Sequence, residues 1–212
     1  MKKAILFDLD GTLTDSGEGI IKCAIFTLEH YGLPIPGTEV LRTIVGPPLH
    51  ESLIRLGVPA DQADEAIRIY RSRYIPIGKF ENEPYPGIRE LLEKLLDDGH
   101  TLYVATSKPE VTAIEILDHF DMSKYFSRIC GASTDLVRNT KAQVIEYLLA
   151  LSGNTDNAIM VGDTAFDVNG AQAHGIPTIG VSWGYGEVAD MANAGAIAIA
   201  NTMDELYEAL SR

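Results

Sequence analysis

Two aspartates, Asp8 and Asp10, stand two positions apart where an apolar run, Ala4-Ile5-Leu6-Phe7, gives way to Gly11 and Thr12. A continuous apolar run of this kind reads as a strand buried on both faces of a parallel sheet. Ligands of open α/β sheets bind just beyond the carboxyl ends of the strands, so both carboxylates would be delivered to the functional edge. Carboxylates there can bind a hard cation, attack an electrophile or move a proton. The plain alternative is a turn, because Asp and Gly favour turns through local hydrogen bonding and positive φ.

Three further segments bear on that choice. In LYVATSKPE, Leu102 to Ala105 reads as a strand with Thr106 and Ser107 at its end. NTKAQVIEYLLAL puts Lys141 at the start of an amphipathic helix, and AIMVGDTAFDVNGA is a strand that stops at Gly162, leaving Asp163 and Asp167 just past it. Each also has a structural use. Thr106 and Ser107, ahead of Lys108-Pro109, could cap a helix. Lys141 could be a solvated helix residue, and the two acids could charge a helix start.

The elements that must position these residues follow from periodicity. Residues 17 to 80 hold no convincing strand. Ile20, Ile21, Ala24, Ile25, Leu28 and Tyr31 make one apolar stripe that ends at Gly32. Shorter helices are expected over 38–44, 48–56 and 60–74, making a small helical bundle. From Tyr85 onward helix and strand alternate: strands at 101–106, 128–131, 157–162, 177–182 and 196–200, helices at 87–98, 110–119, 141–152, 165–174, 187–193 and 203–211. Alternation of this kind specifies a parallel sheet with helices on both faces. The expected architecture is α/β, a doubly wound Rossmann-like core from 1–16 and 82–212 with an all-helical cap, 17–81, inserted after the first strand.

In their types and order, these four segments resemble the four motifs of the haloacid dehalogenase superfamily: D-x-D-x-T, a strand-terminal Thr or Ser, a Lys, and G-D-x-x-x-D. The helical insertion resembles the capped branch of that superfamily. VGPPLHESL, FENEPYPGIRELL, VATSKPE and IGVSWGYG are similar to its phosphoglycolate phosphatase and 5′-nucleotidase-like members. The resemblance implies a Mg²⁺-dependent phosphatase. Asp8 would be the nucleophile that forms an aspartyl-phosphate, and Asp10 the general acid and then base. Asp8, the Asp10 backbone carbonyl and Asp163 would hold the metal. Thr106, Ser107 and Lys141 would bind the phosphoryl group, with Asp167 in support. The substrate would be a small phosphorylated metabolite. The other readings are a phosphomutase of the β-phosphoglucomutase type and a noncatalytic phosphate-binding protein.

Composition narrows the field. Seventeen Lys and Arg against 30 Asp and Glu give a net charge of −13, which argues against a nucleic-acid polymer or an anionic membrane as partner. Cys23 and Cys130 lie too far apart in sequence to suggest a disulfide framework or a zinc site and read as small buried hydrophobes. No apolar stretch approaches spanning length, so a cytoplasmic protein is expected. GYGEVA, 184–189, lacks the third glycine of a dinucleotide fingerprint. There is no H-E-x-x-H or Walker A sequence. Tyr70, Arg71, Arg73 and Tyr74 form a basic and aromatic cluster, either a packed helix face or a reach toward substrate.

Overall fold

The computed structural model describes residues 2–135, 137–153 and 157–211. In chain order the first elements are β1 (Ala4–Phe7), β2 (Thr14–Asp15), α1 (Gly17–His30), α2 (Thr38–Arg42), α3 (Leu49–Arg55), α4 (Ala63–Tyr74) and β3 (Glu83–Pro84). There follow α5 (Ile88–Asp97), β4 (Thr101–Pro109), α6 (Glu110–His119), β5 (Arg128–Ala132), α7 (Lys141–Ser152) and β6 (Ala158–Gly162). The chain ends with α8 (Ala165–Gln172), β7 (Thr178–Val181), α9 (Val188–Ala194), β8 (Ala198–Ala200) and α10 (Met203–Ser211). It divides into two compact units, one from residues up to Thr14 and from Pro84 onward, the other Asp15–Glu83.

The first unit is built on a six-stranded sheet ordered β5-β4-β1-β6-β7-β8, with every neighbouring pair parallel. β1 lies centrally, between β4 and β6, and is sealed on both faces. Ile5 and Phe7 pack with Leu92 and Leu95 of α5, Ile116 of α6 and Leu206 of α10. Leu6 packs on the opposite side with Val144, Ile145 and Leu148 of α7 and Ala171 of α8. Alternate side chains of a strand point to opposite faces, so an unbroken apolar run is what a sheet covered on both sides requires. Phe7 pairs with Val104 and Val161, which brings the ends of the three central strands level.

The second unit holds only helices between its connecting segments. Tyr70 and Tyr74 are buried and stacked with ring centroids 5.4 Å apart, beside buried Cys23. Arg73 donates to both Glu81 oxygens at 2.7 and 3.1 Å and to Cys23 Sγ at 3.2 Å. The Tyr70 and Arg73 cluster is therefore a packed helix face, although Arg71 is exposed. Both cysteines are free and buried.

Two details depart from the periodicity. α4 is preceded by a separate 3₁₀ turn over Ala60–Gln62. β4 runs three residues beyond Thr106, to Pro109. Thr106 and Ser107 consequently lie within a strand, and the N-cap of α6 is Pro109, which has no capping side chain. No helix among the described residues is long and apolar enough to cross a membrane.

Candidate active site

Where β1 ends, the Asp8 N–H still donates to Val161 O on β6 at 2.9 Å, and the chain then turns away through Leu9 to Thr14. Asp8 Oδ1 accepts from the Leu9 N–H at 2.7 Å and lies 2.8 Å from Lys141 Nζ. Lys141 is the first residue of α7. The helix begins there because Thr140 and Gln143 form a reciprocal capping box, with Thr140 Oγ1 accepting from the Gln143 N–H. Its ammonium also reaches Asp167 Oδ1 at 2.7 Å and donates to Ala105 O at 2.9 Å. Lys141 is thus a buried cation tying β1, β4 and α8 together, not a solvated helix residue.

Asp163 follows β6 and is 1 % exposed. Its Oδ1 accepts from the Thr12 hydroxyl at 3.2 Å and its Oδ2 from the Tyr185 N–H at 2.8 Å. Asp167, fully buried, caps the start of α8. Its Oδ2 accepts from the Thr164 N–H at 3.0 Å and the Thr164 hydroxyl at 2.8 Å, and its other oxygen faces Lys141. The structural and chemical uses of this acid therefore coexist.

Oxygens of Asp8, Asp163 and Asp167 all lie within 4.8 Å of one another. Burial, with the Asp167 charge added, pushes the Asp8 carboxyl up to about 6 against the pull of Lys141. Burial and the Asp167 and Asp8 charges push Asp163 up to about 8. Burial opposes the Lys141 charge, but the two carboxylates outweigh it and raise its proton affinity above the ordinary lysine range. One ammonium does not neutralise three clustered carboxylates. A hard divalent cation would, and the all-oxygen donor set fits one.

Of the other expected site residues, Thr106 is 2 % exposed, its hydroxyl hydrogen-bonded to Asp8 and accepting from the Lys108 N–H at 3.2 Å. Ser107, on the opposite side of β4, is exposed. Asp10 directs its carboxylate to Lys108, whose Nζ lies 2.8 and 2.5 Å from its two oxygens. The side-chain cluster is therefore Asp8, Asp163 and Asp167, with Asp10 standing apart on its own ammonium.

One contributor lies outside the four motifs. The 184–186 segment, which fails as a dinucleotide fingerprint, wraps Asp163. A Cβ on Gly184 would fall 2.3 Å from Asp163 Cβ and Oδ2 and 2.5 Å from Gly11 O. Gly11, at φ +82°, leaves equally little room, since a Cβ there would fall 2.2 Å from Asp163 Oδ2. Trp183 secures the loop by donating Nε1–H to Thr12 O at 3.2 Å and packing edge-on to Tyr85. Only the two small residues hinted at a close approach; the partner they approach is distant in sequence.

A central parallel sheet with these acids and lysines at its carboxyl edge defines a class. The family model of haloacid dehalogenase-like hydrolases matches residues 5–181, and the chain belongs to that family. It is a phosphatase of that family. The chain is 43 % identical over 184 residues to a 5′-nucleotidase of Pseudomonas aeruginosa, covering 86 % of this chain and 83 % of the relative. It is 45 % identical over 209 residues to the tyrosine-protein kinase PtkA of Mycobacterium tuberculosis, covering 97 % and 72 %. The crystal structure of a predicted phosphatase from Clostridium acetobutylicum superposes with a TM-score of 0.92 at 42 % identity, over 100 % and 99 % of the two chains.

Proposed function

We propose that this protein is a Mg²⁺-dependent phosphomonoester hydrolase that works through an aspartyl-phosphate on Asp8, acting in the cytoplasm on a small phosphorylated metabolite. The observation that carries the reading is the Asp8 carboxylate, buried at a strand end against Lys141, with a second acid, Asp10, two residues on and held separately. A carboxylate oxygen of Asp8 attacks phosphorus as the bond to the ester oxygen breaks, and Asp10 gives its proton to the departing alkoxide. Water then attacks the acyl phosphate, Asp10 takes its proton, and inorganic phosphate leaves with the Asp8 carboxylate restored. Lys141 and the Thr106 hydroxyl hold the phosphoryl oxygens, with backbone amides after Asp8. Asp8, Asp163 and the Asp10 carbonyl would hold Mg²⁺, with Asp167 in support; bound there, the ion supplies charge neutralisation for the phosphoryl group.

The 5′-nucleotidase relative supports a nucleoside 5′-monophosphate as substrate, ahead of a phosphoglycolate-like acid. Transfer to an acceptor other than water is the second reading, as in a phosphomutase, and the relative named as a tyrosine-protein kinase favours keeping it. Phosphate release from nucleoside monophosphates, phosphoglycolate, sugar phosphates and p-nitrophenyl phosphate, with Mg²⁺ and with chelator, tests both. Mg²⁺-dependent release abolished in Asp8→Asn is the expected result. Turnover of a sugar phosphate without free phosphate would transfer the assignment to a mutase.

A further inference from the structure

Lys108 belongs to none of the four motifs, yet it is 8 % exposed and its ammonium is spent on Asp10. The chain makes a local distortion to put it there. β4 pairs with β5 from Tyr103 to Ala105 in regular register, with Ala105 opposite Cys130. Pairing resumes only at Pro109, opposite Ala132. Four steps along β4 thus match two along β5, a bulge of the kind that redirects side chains beside active sites. The bulge is braced from β5. A Cβ on Gly131 would fall 2.5 Å from Lys108 O and 2.7 Å from Glu110 Cα, so the two chains touch backbone to backbone there. The Gly131 N–H donates to Glu110 Oε2 at 3.1 Å. Arg138 closes the brace, donating to Gly131 O at 2.7 Å and to Glu110 Oε2 at 2.9 Å.

Within the bulge, Thr106 and Lys108 are buried while Ser107 between them is exposed. The two inward residues serve different acids. Thr106 hydrogen-bonds to Asp8 and Lys108 grips both oxygens of Asp10. An ammonium on both oxygens fixes the carboxylate in place and in direction; in the acid step Asp10 carries its proton on one oxygen while the ammonium holds the other, and proton transfer depends steeply on such placement.

We propose that Lys108 is a positioning residue for Asp10, governing proton delivery to the leaving oxygen and not phosphoryl binding. This rests on the acid role given to Asp10 above. The two ideas separate experimentally, because a nitrophenolate departs without a proton and a benzyl alkoxide needs one. The test is kcat/KM for p-nitrophenyl phosphate and benzyl phosphate on wild type, Asp10→Asn, Lys108→Met and the double variant, with Lys108→Gln as a second neutral replacement should Lys108→Met not fold. Lys108→Met is expected to lose about 100-fold on benzyl phosphate and less than about tenfold on p-nitrophenyl phosphate, in the range general acid catalysis contributes. Adding it to Asp10→Asn should cost nothing more on benzyl phosphate. Equal losses on both esters for Lys108→Met, or a full additional loss in the double variant, would overturn the inference and make Lys108 a phosphoryl ligand. Equal losses on both esters for Asp10→Asn would instead remove the acid role itself.

Discussion

The Tyr185 backbone N–H donates to Asp163 Oδ2 at 2.8 Å, so a loop following β7 fixes the orientation of an acid that follows β6. The contact exists only because Gly184 has no side chain to meet Asp163. Gly184→Ala must therefore displace Asp163 or the loop. A misplacement near 1 Å at a reacting site costs on the order of 100-fold in rate. We expect kcat/KM to fall by about that factor and the Mg²⁺ concentration for half-activity to rise, with the far-ultraviolet circular dichroism unchanged. Activity within about threefold of wild type would show that the loop yields without moving Asp163.

Lys141 balances Asp8 and Asp167 from inside the protein, at 2.8 and 2.7 Å. Removing one partner of a buried ionic group leaves the others uncompensated and typically costs about 3–5 kcal/mol. Lys141→Met should lower stability to urea by about that amount in chelator and reduce kcat by about 100-fold or more. Lys141→Arg should also lose most activity, because a planar fork does not reproduce one point charge facing two carboxylates and a carbonyl. Full activity in Lys141→Arg would show that charge alone suffices.

How much of this was legible in the sequence depends on how local each cause is. β1 and its two aspartates, the helix start at Lys141, and the strand ending at Gly162 are each specified within a dozen residues. The alternation from Tyr85 onward likewise maps onto the observed sheet and its helices. The Tyr185 contact was not legible, because its partners Asp163 and Gly11 are brought to it by the sheet order. The bulge that sends Lys108 to Asp10 depends on Gly131 and Arg138 of another strand and loop, so the segment read simply as strand then cap. The family pattern gave Asp167 only a supporting role. Its burial, and the Thr164 bonds that let it stay buried, needed the folded chain.

The carboxylate cluster also sets how stability responds to pH. Burial and the neighbouring carboxylates push Asp8 up to about 6 and Asp163 up to about 8, from the ordinary aspartate value of 3.8. Between about pH 4 and pH 8 these two acids hold more protons in the folded chain than in the unfolded one, and their contribution to stability falls as pH rises through that window. Well below about pH 4 both acids are protonated in either state and their contribution no longer changes with pH. A divalent cation in the cluster offsets the burial and the carboxylate repulsion that retain those protons, so Mg²⁺ should protect more strongly as pH rises. At a concentration 100-fold above its dissociation constant at about pH 8, the ion should raise Tm by roughly 5 °C or more over chelator, and by less at about pH 5. Asp163→Asn should flatten the pH dependence in chelator and shrink the Mg²⁺ increment. An increment that is equal at the two pH values would place the cation away from these three acids.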